Sequence, residues 1–411
     1  MVQSRIHNLV NPDQDLIKRV SQNLNALSTE LNTIFPQRSG AIEQMILALV
    51  MRQHILIWGD TGTAKTALAR AVFGSITGAQ KYEANLSRFS SRQDVFGPVN
   101  TKIMTEEGRV RYWLDEGAVN CHFVFLDEFL DASDPLLRAL LTLLNERLFL
   151  NGTERVQSLV HTAVATTNGD PWDKAKRNPD LKAVVDRFLF KCKVSYLDAD
   201  QEILDMLTTY LTGLVPTTTL PLSDLLAFSD IVVSNNLVTD PILIQAYVEA
   251  MNAFKQATNM AISDRSLALY TQILEAHALW TYGRTTLIPE DILAVAHGVC
   301  DGEDVAGIET FKRAALPAIK KAEKQMGASI DNAQQALLAE LEGQIPSLTV
   351  TSAKTMAEAD LVNTIRKLTE LHDKVTAVVP QTQTTTLQKN AIIKKMDRKI
   401  DIVKEYIFKK P

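Results

Sequence analysis

One short segment of the sequence combines two glycines with a lysine and a threonine at a spacing that suits phosphate binding. It follows the apolar run His54–Trp58 and reads Gly59, Asp60, Thr61, Gly62, Thr63, Ala64, Lys65 and Thr66. The backbone N–H groups of such a loop turn inward, toward an anion at a helix N-terminus. Lys65 would reach the outer phosphates of a nucleotide, and the Thr66 hydroxyl would bind Mg²⁺. The alternative is an ordinary turn between a strand and a helix.

Ala64 stands where this pattern usually has its second glycine. We expect Gly62 to absorb the difficult turn, because glycine adopts left-handed dihedrals without a steric penalty. Ala64 is then expected to adopt helical dihedrals. The segment Gly59–Thr66 is called the phosphate loop below.

A second candidate group is a pair of carboxylates, Asp127 and Glu128, which follows the apolar run Phe123–Leu126. Such a run predicts a buried parallel strand, and ligands bind outside the carboxyl ends of parallel strands. Asp127 would hold Mg²⁺, most often through water, while Glu128 would orient and polarise an attacking water. Downstream of a phosphate loop, this pair predicts nucleotide hydrolysis rather than structural charge.

Two further polar residues stand at the ends of predicted elements. Asn168 follows a predicted core strand at 160–166, where its amide would bond the attacking water or the γ-phosphate. The alternative for Asn168 is a cap on the next turn. Arg187 lies between a predicted helix at 179–185 and a predicted strand at 188–190. Arg187 is either a solvated surface charge or an arginine finger. In the second case it lies near a hydrolytic site between subunits and stabilises the charge of the transition state.

The composition narrows the class of protein. A chain of 411 residues with 46% hydrophobic residues predicts two or three domains. The formal net charge of −5 does not indicate a dedicated nucleic-acid binder. The three cysteines and seven histidines show no metal-binding spacing. Because the sequence lacks a signal core and any apolar run of membrane-spanning length, we expect a cytoplasmic protein.

Apolar periodicity predicts the elements that position these groups. Helices at 13–34 and 41–52 precede the strand before the phosphate loop, and another strand lies near Tyr82. Residues 108–113 predict a β segment of a hairpin or flap, and Asn151-Gly152 predicts a β-hairpin. Further helices are predicted at 222–233, 240–257, 263–281, 289–297, 311–341, 357–378 and 387–408.

The order of these motifs resembles the MoxR family of AAA+ ATPases. The shared features are the phosphate loop, Phe96-Gly97-Pro98, Phe125–Glu128, Leu144–Arg147, Asn168 and Asp186-Arg187-Phe188. The segments most similar to the RavA branch of this family are Ser87–Ser90, Val95–Pro98, Asn145–Arg147 and Ser263–Arg265.

The resemblance implies an α/β fold in which an AAA+ P-loop core with a parallel sheet occupies residues 1–195. An all-α lid would follow at 196–305, and a C-terminal helical bundle or coiled-coil extension at 306–411. Within the core it implies a helix-2 insert at about 94–117 and a pre-sensor hairpin at about 148–160.

Residue roles follow from the same resemblance, position by position. Lys65 and Thr66 would be the Walker A pair, and Asp127 and Glu128 the Walker B pair. The remaining roles are sensor 1 for Asn168, sensor 2 for Arg265, and an arginine finger from the neighbouring subunit for Arg187, with Arg147 as the weaker candidate.

The function implied is that of a hexameric ring with ATP and Mg²⁺ at its subunit interfaces. It would remodel or mature partner proteins, often ones that carry a von Willebrand factor A domain. One alternative is a nucleic-acid-stimulated AAA+ motor, suggested by the basic residues Arg88, Arg92, Lys102, Arg109 and Arg111. Another is a scaffold that binds ATP but scarcely hydrolyses it, against which the intact Asp127–Glu128 pair argues.

Overall fold

The computed structural model describes residues 13–178, 180–234, 240–326, 329–349, 352, 356–378 and 383–408. These residues form two compact units. The first contains the described residues up to Asp240, together with Tyr247–Leu287 and Asp291–Leu316. The second contains Pro241–Ala246, Ile288–Glu290 and the described residues from Pro317 onward. The domain bounds predicted at 195 and 305 stay a prediction.

A five-stranded parallel sheet forms the centre of the first unit. Its spatial order is β3 (Lys81–Asn85), β4 (Phe123–Asp127), β7 (Thr162–Asn168), β1 (Ile55–Gly59) and β8 (Phe190–Val194). Apolar residues fill most of β1 and β4, which are buried on both faces as is typical of parallel sheets. In the register, Gly59 pairs with Asn168, and Asp127 pairs with Asn85. The predicted α/β core is therefore confirmed, and Gly59, Asp127 and Asn168 lie at one edge of the sheet.

Helices alternate with these strands along the chain. They are α1 (Gln14–Ile34), α2 (Ser39–Val50), α3 (Lys65–Gly74), α4 (Gln93–Phe96), α5 (Thr101–Glu107), α6 (Asp134–Glu146), α7 (Pro171–Arg177) and α8 (Asp180–Val185). The Asp13 carboxylate caps α1 by accepting from the N–H groups of Asp15 and Leu16. Helix α8 had been expected from Pro179, which lies outside the described residues.

The region predicted as an insert contains a helix that was not expected, in front of the predicted β segment. Residues 101–107 form α5, which begins behind the Asn100 cap and ends at Gly108, where φ is 65°. Of the predicted segment at 108–113, only Tyr112 pairs, in an isolated bridge with Val99, so that prediction is wrong. The hairpin at Asn151 is confirmed as β5 (Leu148–Asn151) and β6 (Glu154–Gln157).

The part of the chain predicted as a lid is mainly helical. It contains α9 (Asp200–Thr212), α10 (Leu222–Val233), α11 (Pro241–Thr258), α12 (Asp264–Tyr282), a 3-10 helix at 289–295 and α13 (Ala296–Val299). Helix α9 was not predicted, and the helix predicted at 289–297 is mostly 3-10. Short strands β2 (Ile76–Thr77) and β9 (Leu220–Pro221) pair in parallel.

The C-terminal helices are α14 (Val305–Gln325), α15 (Ser329–Gly343), α16 (Glu358–Ala377) and α17 (Gln383–Phe408). The last three enclose an apolar core in the second unit, whose members include Leu338, Leu361, Leu368, Met396 and Val403. This helical extension was predicted, although one continuous helix had been expected over 311–341. Within the described residues, none of the helices has the length and apolar character needed to span a membrane.

Candidate functional site

The phosphate loop begins at the carboxyl end of β1 and leads directly into α3. A Cβ at Gly59 would lie 2.0 Å from the carbonyl oxygen of Val194, so this close strand contact requires glycine. Gly62 has a φ of 83°, as expected for the turn. Ala64 has φ 64° and ψ 19°, which is left-handed, so the expectation of helical dihedrals was wrong. Alanine adopts this conformation at a cost of roughly 1–2 kcal/mol.

Lys65 is the first residue of α3, and its side chain is 8% exposed. Its ammonium donates to the carbonyl oxygens of Gly59 at 3.1 Å and Asp60 at 2.7 Å, and to Asn168 Oδ1 at 3.3 Å. Burial lowers the pKa of Lys65, although nearby carboxylates act in the opposite direction. The ammonium therefore lies where the carboxyl ends of β1 and β7 meet.

Asp127 lies between two threonine hydroxyls. Thr66 Oγ1 donates to Asp127 Oδ2 at 3.4 Å, and the Thr166 hydroxyl donates to Asp127 Oδ1. Mg²⁺ prefers oxygen ligands, commonly one or two carboxylates together with waters and phosphate oxygens. The Thr66 hydroxyl and the Asp127 carboxylate therefore fit a Mg²⁺ ion bound together with a nucleotide.

Glu128 faces Asn168 across the ends of β4 and β7. Both the backbone N–H and the side-chain amide of Asn168 donate to the Glu128 carboxylate, the backbone bond at 3.3 Å. Glu128 has a left-handed φ of 52°, which turns the chain directly after the strand. Burial raises the pKa of Glu128, and the charges of Asp131 and Asp127 raise it further. A carboxylate of raised pKa is suited to accept a proton from water.

The structure adds residues that the sequence interpretation missed. Thr166 is fully buried and fixes one oxygen of Asp127. Lys174 contacts Asp131 at 2.8 Å and Thr167 Oγ1 at 3.0 Å. A signal for Thr166 was present, because it lies two residues before Asn168 and so shares its face of the strand.

A cavity adjoins the phosphate loop. Its volume is about 640 Å³, within the range of small-molecule pockets. The Tyr196 hydroxyl, which lines it, donates to the Thr61 carbonyl oxygen of the loop at 2.8 Å. The remaining lining residues are Gln37, Arg38, Ser39, Trp58, Lys193, Ser195, Asp301, Glu303 and Asp304. This cavity is large enough to accept the nucleoside part of a nucleotide whose phosphates lie on the loop.

Arg187 and Arg265 lie together in a separate pocket of about 430 Å³. Arg265 Nη2 donates to Asn145 Oδ1 at 3.2 Å. Burial lowers the pKa of Arg265, and the like charge of Arg187 lowers it further. The other lining residues are Arg138, Leu141, Thr142 and Glu146, and none belongs to the phosphate loop. The structure therefore divides the predicted site residues between two places. We call this second place the arginine pocket.

Arg147, the weaker finger candidate, is bound within its own subunit. Its guanidinium donates to the carbonyl oxygens of Arg52 at 2.6 Å and His161 at 3.1 Å, and it also contacts His54. Burial lowers the pKa of Arg147 to about 10. These contacts occupy the Arg147 guanidinium within its own chain.

A family model described as the MoxR domain in the MoxR-vWA-beta-propeller ternary systems matches residues 22–213. The match supports the MoxR family. The Chaperone MoxR1 of Mycobacterium tuberculosis is 26% identical over 279 residues, which cover 65% of this chain and 71% of that protein.

Two relatives from Methanocaldococcus jannaschii are named only as uncharacterized proteins. They are 27% identical over 43% of this chain and 29% identical over 41% of it. The matches cover 44% and 43% of those proteins, so the chain spans less than half of their length. A crystal structure named "putative ATPase" from Cytophaga hutchinsonii has a TM-score of 0.55 at 18% identity, covering 73% of this chain and 96% of that one. At this identity the likeness shows a shared fold alone.

Proposed function

We propose that this chain is a MoxR-type AAA+ ATPase that hydrolyses ATP in a ring and uses the energy to remodel or mature partner proteins. A hexamer, a cytoplasmic location and membership of the RavA branch complete the proposal. The three cysteines are unpaired, which fits a reducing compartment.

The observation that carries the proposal is the convergence of five side chains at one edge of the sheet. Lys65 contacts Asn168, Asn168 contacts Glu128, and Thr66 contacts Asp127. These residues come from α3, β4 and β7, and each has a group that phosphoanhydride hydrolysis needs.

Each group has a defined role in the proposed reaction. The N–H groups of the phosphate loop and the Lys65 ammonium would bind the phosphate oxygens and stabilise their charge. Thr66 and Asp127 would hold Mg²⁺, which when bound neutralises charge on the phosphates. Glu128 would accept a proton from the attacking water, and Asn168 would hold the Glu128 carboxylate in position.

The arginine pocket would complete the site of a neighbouring subunit. The charge of Arg187 lies close enough to lower the pKa of Arg265, and both side chains are exposed. Two guanidinium groups in one pocket suit an anion with several oxygens, such as the γ-phosphate. Because none of the loop residues lines this pocket, we propose that the phosphate comes from the next subunit.

The proposed client is a protein with a von Willebrand factor A domain. The matching family model is described by ternary systems of MoxR, vWA and beta-propeller proteins, which supports this choice. Ring size is proposed from the family resemblance.

The test is the steady-state ATPase rate per subunit as a function of protein concentration, for the wild type and Arg187→Ala. The control is Lys182→Ala, which removes an exposed cation from α8, five residues before Arg187. A rate that rises with concentration, falls by about 10³-fold or more in Arg187→Ala and is unchanged in Lys182→Ala is expected for an arginine finger supplied in trans. A rate independent of both concentration and Arg187 would contradict the shared site.

The same assay separates the alternative function. A nucleic-acid-stimulated motor should hydrolyse ATP faster with DNA or RNA and bind them in a salt-dependent manner. Of the basic residues that suggested this alternative, Arg111 is paired with Glu154 at 3.4 Å. We expect neither stimulation nor salt-dependent binding.

A further inference from the structure

The carbonyl oxygens of the phosphate loop accept hydrogen bonds from two kinds of donor. Lys65, inside the loop, donates to the carbonyl oxygens of Gly59 at 3.1 Å and Asp60 at 2.7 Å. The next carbonyl oxygen, that of Thr61, accepts from the Tyr196 hydroxyl at 2.8 Å. Tyr196 lies 135 residues further along the chain, so its bond joins the loop to a separate segment.

The central sheet places Tyr196 beside Thr61. Strands β1 and β8 are parallel, and their last residues, Gly59 and Val194, are paired in the register. Thr61 and Tyr196 each follow two residues after this pair. The two segments therefore leave the sheet side by side, and the tyrosine reaches the loop from its flank.

Polar contacts of its segment place the Tyr196 side chain. It is 60% exposed, so apolar packing contributes little to its position. The preceding residue is fixed by Arg38, which is buried and donates to the Ser195 carbonyl oxygen at 2.6 Å. Two residues further on, Asp198 accepts from the Gln37 side chain at 3.1 Å. An anchored stretch of backbone therefore presents the hydroxyl to the loop.

The hydrogen bond to the Thr61 carbonyl also sets the direction of the next N–H group. The C=O and N–H of a trans peptide point in opposite directions, because the peptide unit is planar. Since the Thr61 oxygen is turned toward Tyr196, the Gly62 N–H points away from it. N–H groups on the inner side of such a loop are the ones that bind an anion.

Gly62 is the residue at which this peptide could turn over. Its φ is 83°, and glycine adopts positive and negative φ about equally well. A Cβ at this position would meet nothing within 4 Å, so steric contacts do little to fix the orientation. In the reversed orientation the Thr61 carbonyl oxygen would face the phosphates, and partial and full negative charges would repel each other.

We propose that Tyr196 is a positioning residue that holds the Thr61–Gly62 peptide with its N–H turned toward the phosphates of a bound nucleotide. This inference rests on the proposed function, which places those phosphates on the loop. Lys65 cannot serve this purpose, because its ammonium would leave the carbonyl oxygens of Gly59 and Asp60 to meet the phosphates. The bond from Tyr196 comes from outside the loop and persists when the nucleotide binds.

The test compares Tyr196→Phe, which removes only the hydroxyl, with the wild-type chain. The matched control is Tyr210→Phe, the same change at a tyrosine of α9 that is 79% exposed. Calorimetry measures the affinity for a non-hydrolysable ATP analogue with Mg²⁺, and a steady-state assay measures the ATPase rate at saturating ATP. Mass spectrometry measures amide hydrogen exchange of residues 59–66 without nucleotide, which reports local opening of the backbone.

We expect Tyr196→Phe to bind the analogue about 3–10-fold more weakly, since one hydrogen bond contributes roughly that factor. The rate at saturating ATP should stay within about twofold of the wild type, because a lost binding contact raises KM and leaves kcat unchanged. Amide exchange in the loop should become faster. Tyr210→Phe should match the wild type in all three measurements.

The other outcomes would contradict this inference. Weaker binding with unchanged loop exchange would mean that the hydroxyl contacts the nucleotide itself. Faster exchange with unchanged affinity would mean that the Thr61–Gly62 peptide does not face the phosphates. If neither quantity changes, the hydrogen bond from Tyr196 has no role in the loop.

Lys65→Ala, measured in parallel, separates this inference from the proposed function. If Lys65→Ala binds the analogue as tightly as the wild type, the phosphates do not lie on the loop, and the proposed function fails together with the inference. If Lys65→Ala loses binding while Tyr196→Phe behaves like the wild type, only the role of Tyr196 is wrong.

Discussion

The phosphate-loop site and the arginine pocket differ in how their charges are balanced. At the loop, Lys65 is surrounded by carbonyl oxygens and lies near Asn168, while Asp127 accepts from two hydroxyls. In the arginine pocket, Arg265 has one side-chain amide acceptor, and the nearby charge of Arg187 has the same sign as its own.

The difference indicates which of the two sites is complete within one chain. Buried charges are stable when they are paired and hydrogen-bonded, which holds for the loop site. Two adjacent guanidinium groups repel each other, and an anion between them would remove that repulsion. One chain therefore holds an ordered loop half and a cationic half that suits a phosphate from elsewhere.

The division of the site into two halves is tested most strongly by inactivating each half in a different chain. Lys65→Ala and Arg187→Ala are each expected to lower turnover by about 10³-fold or more. When the two variants are mixed, some interfaces combine the intact loop of one chain with the intact arginine of the other, so activity should return. The measurement is the ATPase rate across mixing ratios.

A matched control distinguishes this recovery from simple subunit exchange. Lys65→Ala mixed with Glu128→Gln places both defects in the loop half, so an interface with a complete loop site cannot form. Recovery in this second mixture, or its absence in the first, would contradict the division into two halves.

The next prediction concerns the loop half alone. Glu128→Gln should lower turnover by about 10²–10⁴-fold, because glutamine cannot accept the proton of the attacking water. ATP binding should persist, since Lys65 and the loop remain. The measurements are single-turnover hydrolysis and nucleotide affinity. Glu107→Gln makes the same change at an exposed carboxylate at the end of α5 and should leave turnover close to that of the wild type. Normal turnover in Glu128→Gln would remove its role as the base.

A smaller effect is expected when the Asp127 carboxylate loses one of its hydrogen bonds. Thr166→Val keeps the shape of the side chain but removes the hydroxyl that donates to Asp127 Oδ1. Groups that orient a metal ligand typically contribute 10–100-fold to metal affinity. We expect the Mg²⁺ concentration needed for tight ATP binding to rise by about tenfold, whereas binding without Mg²⁺ stays the same.

Fluorescence titration of nucleotide binding against Mg²⁺ measures this effect without any turnover. Thr166→Ser restores the hydroxyl and should restore the Mg²⁺ dependence. An unchanged dependence in Thr166→Val would mean that Thr166 serves packing only.

Much of the loop half was predictable because its signals are local. The apolar runs before Gly59 and Asp127 predicted the strands, and strand ends in a parallel sheet meet at one edge. The amphipathic helix α1 was equally visible, since six of its apolar side chains are buried on one face.

Features that depend on distant parts of the chain were missed. Arg147 is held by carbonyl groups of Arg52 and His161, and carbonyl acceptors leave no trace in side-chain type. Arg187 and Arg265 are far apart in sequence, but they line the same pocket. Helix α5 is a different case, because the Asn100 cap and Gly108 stop were local signals that were overlooked.

The prediction with the smallest expected effect concerns Ala64. Its dihedrals are left-handed, whereas helical dihedrals had been expected. Ala64→Gly removes a steric cost of roughly 1–2 kcal/mol but adds about 0.5–1 kcal/mol of chain entropy in the unfolded state. We therefore expect unfolding free energy to rise by about 0.5 kcal/mol, or to stay level. Ala67→Gly is the control, because Ala67 is exposed inside α3, where glycine costs about 1 kcal/mol. Urea denaturation compares the two variants. An equal loss in both would show that Ala64 has ordinary helical dihedrals in solution and that the loop turns at Gly62 alone.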